Sequence, residues 1–172
     1  MAERDKVMTF YFEDAGDIPN NPLLPLVVLQ AAVTLGSVDP ASDIERLFPR
    51  GGWDAAWRWG VYDFPHYHST AHEVLGCFRG SARIRFGHTK GVALDLAPGD
   101  VVIIPAGVGH QNLGSTADFQ VVGGYPRRQR ADLLRGHAGE RPRADQNIAR
   151  VPLPGGDPVF GPDGPLHEHW RL

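Results

Sequence analysis

The chain has 172 residues, 42% of them hydrophobic and 22% charged, with a formal net charge of -3. That length is enough for one domain with a packed core and no covalent staples. The charge balance gives no reason to expect nucleic acid or a membrane as partner, and a lone cysteine, Cys77, excludes an intramolecular disulfide.

The start, Met1 to Lys6, is polar and leads into no apolar signal core. The longest apolar stretch, 23–33, is interrupted by Pro25 and is too short to span a bilayer. A cytoplasmic protein is the expectation. Residues 8–12 and 26–32 read as extended pieces separated by the turn signal Asp17-Ile18-Pro19-Asn20-Asn21. Residues 42–48 read as a short helix capped by Ser42 or Asp43 and ended by Pro49 and Gly51-Gly52. Residues 52–59 read as a further helical turn carrying Trp53, Trp57 and Trp59, three indoles expected to pack over one mouth of the domain, with substrate stacking as the alternative.

From Gly60 the pattern changes. Strands are expected at 73–78, 81–86, 92–96, 101–104 and 119–122, each ended by a Gly, Pro or Asp signal. Short strands with a turn every eight to twelve residues indicate an antiparallel barrel or sandwich, and 21 glycines with 15 prolines suit that class. Val101-Val102-Ile103-Ile104 is apolar on both faces and needs cover on both, from the N-terminal segment or from a second subunit. Residues 127–150 hold seven arginines and read as a solvated helix and loop, with an anion-binding patch as the alternative. The Pro- and Gly-rich tail from Val151 reads as an extended strap. The division expected is one domain, 1–172, with an N-terminal extension (1–59), a barrel segment (60–124), and a basic segment and strap (125–172).

The chemistry lies in 66–73. His66 and His68, at i and i+2 on an extended segment, project from one face and can converge on one ion. Glu73 follows at the start of a strand. If it faces inward, so do Leu75 and Cys77, while His72 must face the other way. One of Glu73 and His72 can be a ligand, and strand alternation alone does not choose.

Gly60-x5-His66-x-His68-x4-Glu73-x6-Gly80 resembles the first motif of the cupin superfamily, and Gly99-x5-Pro105-x-Gly107-x2-His110 is similar to the second. Glu73-Val74-Leu75 followed by Arg79-Gly80 is close to the germin version of the first motif. The resemblance implies His66, His68, Glu73 and His110 as the ligands of one divalent metal ion, choosing Glu73 over His72. The second motif usually ends in Asn four residues after its histidine, where this chain has Gly114. The wider pattern, Ile18-Pro19-Asn20-Asn21 included, looks like the small bacterial YjlB-type cupins. The resemblance further implies an all-β antiparallel jelly-roll barrel (RmlC-like) with a few short helices in the terminal decorations, and a homodimer.

Three imidazoles and a carboxylate form a nitrogen/oxygen set suited to manganese, iron, nickel or zinc and poorly suited to calcium or magnesium. Four ligands around a six-coordinate ion leave about two positions for water or substrate, as metal catalysis requires. The first expectation is therefore a metal-dependent enzyme on a small oxygen-rich molecule, of dioxygenase, oxidase, decarboxylase or isomerase type. The alternative is a non-catalytic module that binds or senses a small ligand, and a metal-free sugar epimerase ranks last. Tyr67, His72, Gln111, Asn112 and Gln120 are candidates to orient the imidazoles. His88, His137 and the pair His167 and His169 read as solvent-facing.

Overall fold

The computed structural model describes residues 6–36 and 38–171, so the polar start at 1–5 lies outside it. The strands are β1 (Val7–Phe10), β2 (Leu26–Leu29), β3 (Trp53–Trp59), β4 (Glu73–Arg79), β5 (Ala82–Phe86), β6 (Val92–Leu96), β7 (Val101–Ile104), β8 (His110–Ser115) and β9 (Gln120–Pro126). The helices are α1 (Pro40–Glu45), α2 (Arg143–Arg150) and α3 (Leu166–His169). One antiparallel sheet runs β1-β2-β7-β4-β9-β3 and a second runs β6-β5-β8. They face each other as a jelly roll and are not joined into one continuous barrel sheet.

Strand alternation sorts the large sheet into two apolar layers. Leu26, Val28, Leu75, Cys77, Val102 and Ile104 point inward and pack on Ile84, Phe86 and Leu96 of the small sheet. Val27, Leu29, Val74, Phe78, Val101 and Ile103 point outward, where Ile44 of α1, Phe48, Val159, Leu166 of α3 and Trp170 cover them. The doubly apolar β7 is thus covered on both faces by elements of its own chain. At about 25 cal/mol per Å2 of apolar area, each such buried side chain stabilises by roughly 1.5–3 kcal/mol. Among the described residues, no helix is long and apolar enough to cross a membrane.

Three local expectations differ from what forms. Residues 53–59 are a strand and not a helical turn: Trp and Ala alternate along β3, but a β-bulge between Ala55 and Trp57 breaks the period of two. The extra residue turns Trp57 to the inner layer while Trp53 and Ala55 stay with the outer one. Helix α1 starts earlier than expected, at Pro40, so Ser42 and Asp43 lie inside its first turn, where Ser42 donates back to the Asp39 carbonyl (2.8 Å). The C-terminal tail is coiled: the Asp157 carboxylate accepts from the backbone N–H groups of Val159 (2.8 Å), Phe160 (3.0 Å) and Leu166 (3.1 Å) and so organises the turn ahead of α3.

Candidate metal centre

Residues 66–68 form an extended segment that bridges to the first residue of β8. The His66 N–H donates to the His110 carbonyl (3.1 Å) and the His110 N–H to the His66 carbonyl (2.9 Å). This pairing sets the two imidazoles opposite each other, with centroids 4.1 Å apart, and His68, one alternation further, lies 5.8 Å from His66. One nitrogen from each of the three rings lies within 4.8 Å of the others. Glu73 opens β4 on the inner layer, above Leu75 and Cys77. Its carboxylate oxygens approach His68 Nε2 (3.3 Å) and His110 Nε2 (3.2 Å). All four predicted residues are therefore brought together, each no more than 9% exposed.

The rings are oriented by the backbone. The Nδ1 of His66 faces the Phe64 carbonyl at 3.0 Å, that of His68 the Asp132 carbonyl at 2.5 Å, and that of His110 the Val108 carbonyl at 3.1 Å. A carbonyl only accepts, so each Nδ1 carries a proton, which leaves each Nε2 as the atom a metal ion would take. Three imidazoles so arranged fit a divalent transition-metal ion, which takes deprotonated ring nitrogens and has its ligands oriented by hydrogen bonds behind them.

Burial and then the two neighbouring imidazoles hold His66 down at about 3, so it stays neutral. Burial alone would lower His68, but the Glu73 carboxylate outweighs it and raises this ring above its ordinary value. Burial would raise Glu73, yet His68 and His110 hold it well below the usual carboxylate range. Burial pushes the Cys77 thiol up to about 12, which removes it as a thiolate donor.

His72 is not in the cluster. It is 1% exposed on the opposite face of the strand, its ring 4.7 Å from Trp170, and its Nδ1 accepts the Ala106 N–H (2.9 Å). Burial lowers it to about 4. Of the other orienting candidates, Tyr67 turns away and donates to Glu140 (2.9 Å), Gln111 donates to the Asp63 carbonyl (3.0 Å), and Asn112 closes a turn onto Gly114 N–H (2.9 Å) where the family pattern has asparagine. Gln120 sits at the opposite end of β9 from the centre. His88 is not solvent-facing as expected: it is largely buried and pairs with Asp17 (3.2 Å).

Sequence reasoning missed the residues that hold the loop before His110. The Asn21 amide donates to the Ala106 carbonyl (2.9 Å), so His72 and Asn21 grip both polar groups of one peptide residue. Asn20, fully buried, accepts the Gly109 N–H (3.1 Å) and donates to the Gly87 carbonyl (3.1 Å). Between them, Gly107 has φ +95 and its added Cβ would lie 2.5 Å from the Asn20 carbonyl, so only glycine fits. On the other side, the Asp132 carboxylate accepts the Ser69 N–H (2.6 Å) and Ser69 hydroxyl (2.5 Å), which holds its own carbonyl against His68. The Ile18-Pro19-Asn20-Asn21 run was the one available signal.

The four residues floor a cavity of about 400 Å3 walled by Trp57, Trp59, Tyr62, Tyr125 and Leu133. The Trp57 indole N–H donates to the Tyr125 hydroxyl (3.0 Å), and that hydroxyl lies beside Glu73. No lysine or arginine is among the residues that line it. The three tryptophans thus divide: Trp53 is in the outer core, donating to the Gly156 carbonyl (2.9 Å), while Trp57 and Trp59 line the cavity.

A jelly roll of two antiparallel sheets, with three histidines converging in its interior, defines the cupin class. The chain belongs to the cupin family: the family model Cupin matches residues 62–126. The chain is also 42% identical over 165 residues to the "Uncharacterized protein YjlB" of Bacillus subtilis (strain 168), covering 96% of this chain and 97% of that one. Among solved structures, a cupin 2 domain-containing protein from Halorhodospira halophila is 15% identical, covers 91% of this chain and 88% of its own, and superposes with a TM-score of 0.35. A mutant of Bacillus subtilis oxalate decarboxylase is 16% identical with a TM-score of 0.35, over 64% of this chain and 22% of that longer one.

Proposed function

We propose that the protein is a divalent-metal-dependent enzyme in which His66, His68, Glu73 and His110 hold one manganese, iron, nickel or zinc ion, and that it acts on a small oxygen-bearing molecule. The observation that carries this reading is the convergence of three imidazoles, each fixed by a backbone carbonyl behind its Nδ1, at the floor of a cavity, with a buried carboxylate against two of them. A bound ion there supplies a Lewis-acid centre able to polarise substrate oxygens, chemistry that serves a dioxygenase, oxidase, decarboxylase or isomerase.

The chain's own residues narrow the substrate. Trp57, Trp59, Tyr62 and Leu133 give an apolar, largely aromatic wall for the body of a substrate to pack against. An ionised Glu73 leaves one net positive charge at a divalent site, no basic side chain adds to it, and Asp132, also among the lining residues, reduces it further. An uncharged or singly charged enol, diol or hydroxy acid matches this balance better than a compact dicarboxylate. The Tyr125 hydroxyl, held by Trp57, is placed to hold a proton beside Glu73 and to meet a substrate oxygen.

Elemental analysis of the purified protein and of His66→Ala tests the reading. About one equivalent of metal in the wild type and its loss in the variant is the supporting result. A wild-type protein that stays metal-free after loading with each of the four ions overturns it. With metal loaded, catechol is expected to change the tryptophan fluorescence through Trp57 and Trp59, and succinate to leave it unchanged.

A further inference from the structure

A second cavity, of about 650 Å3, is lined by residues next in the chain to those of the metal cavity, Pro126 after Tyr125 and Arg130 before Ala131. It opens between the turn after β9 and the extended stretch after α2, and Arg127, Arg128, Arg130 and Arg150 line it with no carboxylate among the lining residues. Arg127 is engaged by the Pro49 carbonyl (2.9 Å) and more loosely by Asp54 (3.7 Å). The other three guanidinium groups have no acidic partner among the described residues. Elsewhere arginines occur both with carboxylate partners, as Arg58 with Glu45, Arg83 with Asp95 and Arg141 with Asp14 and Asp145, and without one among the described residues, as Arg85 and Arg143; what sets this cleft apart is three of the unpaired kind lining one cavity. Leaving three close together without counter-charge costs mutual repulsion that an anion would relieve.

Two further observations point the same way. The turn is closed by the Gln129 N–H to the Pro126 carbonyl (3.0 Å) and puts Arg128 at φ +69, a conformation that suits glycine or asparagine and strains a longer side chain. The cleft is also braced: the Gln129 amide accepts the His72 N–H (3.0 Å) and donates to the Pro152 carbonyl (2.8 Å), tying one wall to the other. Pro126, Val151, Pro152, Leu153 and Pro154 add an apolar surface to the guanidinium rim.

We propose that this cleft binds a small molecule bearing a phosphate or diphosphate group, with Arg128, Arg130 and Arg150 on the phosphate oxygens. Guanidinium forks match phosphate geometry, and the volume of this open cleft suits a small organic phosphate with its body against the proline-rich wall.

The test is calorimetric titration of the full chain with orthophosphate, pyrophosphate and ADP in a low-salt buffer. One site per chain is expected for pyrophosphate or ADP, weakened about tenfold or more by either Arg128→Gly or Arg150→Ala, and weakened again by added salt. Glycine is at ease at φ +69, so Arg128→Gly should melt no lower than the wild type and separate binding from folding. Tighter ADP than pyrophosphate assigns an organic phosphate, and equal affinities assign the free diphosphate. Binding should persist in His66→Ala, which separates this cleft from the proposed metal centre. No saturable binding of any of the three probes overturns the proposal, as does binding unchanged in the Arg128→Gly, Arg150→Ala double variant or lost in His66→Ala.

Discussion

Replacing His72 by alanine separates the two neighbours between which strand alternation could not choose. The imidazole is fully enclosed, packs against Trp170 and accepts the Ala106 N–H. Truncation loses roughly 2–4 kcal/mol of packing and leaves a buried amide unpaired for about 1–3 kcal/mol more. Against this, Nε2 faces the Pro152 carbonyl without reaching hydrogen-bond geometry, and removing a badly satisfied group returns about 1–2 kcal/mol. The net is a loss of about 3 kcal/mol at neutral pH, a large share of the roughly 5–15 kcal/mol of a typical domain. The pH dependence follows from a folded-state value of about 4, below the ordinary value of 6.5. Between those two values the unfolded chain binds the proton and the folded chain does not. Stability from this group is therefore complete above pH 6.5 and falls by up to about 1.4 kcal/mol per pH unit on acidification. The variant lacks that slope, so its deficit should shrink towards pH 4.5. Urea denaturation at pH 7.5 and 4.5, with metal analysis of the folded fraction, provides the check. Folded His72→Ala should still take up one ion, with affinity reduced no more than about 10–100-fold through the loosened His110 loop. Loss of the metal to the extent expected for His66→Ala, or a stability gap that does not change with pH, refutes the reasoning.

Three other outcomes are expected. Asp132→Ala frees Ser69 and lets the carbonyl behind His68 drift, so metal affinity should fall about 10–100-fold in a competition titration with a chelator; an unchanged affinity would deny Asp132 its orienting role. Gly123→Ala places a methyl 2.1 Å from the Trp57 ring, and the displaced indole should cost about 1–3 kcal/mol in melting experiments and shift its emission; a wild-type Tm would contradict the close approach. His68 is raised above its ordinary value by Glu73, so it holds a proton into the neutral range that an incoming ion must displace. Metal binding at pH 6.5 should release more than about half a proton, read from calorimetry in buffers of different ionisation enthalpy, and a release of zero would mean that His68 is already neutral.

The sequence was most legible where chemistry repeats at fixed spacing. Alternation placed Glu73, Leu75 and Cys77 on one face and His72 on the other, and the two sets do occupy opposite layers of the large sheet. It was least legible where one residue breaks a period. The bulge at Ala55/Trp57 made a strand look helical, although three tryptophans and two alanines in seven residues suit a pleated, half-buried surface. Strand β8 went unmarked because His110-Gln-Asn-Leu-Gly-Ser has no apolar alternation; the pairing of its backbone with β5 and with His66 makes it a strand. Backbone carbonyls that orient the imidazoles belong to Phe64, Val108 and Asp132, and a carbonyl has no sequence signature at all.

The N-terminal extension, read from the sequence as a decoration, is part of what positions the centre. His110 reaches the cluster from a loop whose polar groups are held by Asn20, Asn21 and His72, two of them some ninety residues earlier in the chain. Each of those bonds is buried, so losing one leaves an unpaired amide or carbonyl that costs about 1–3 kcal/mol and has no water to replace it. An imidazole needs to be held within about half an ångström to keep its place in a metal site. The proposed donor atoms come from residues 66–110, and the tolerance with which they meet is set in large part from outside that segment, by Asn20 and Asn21. A shortened chain beginning after Asn21 would keep all four proposed ligands and lose two of the three side chains that fix where His110 points.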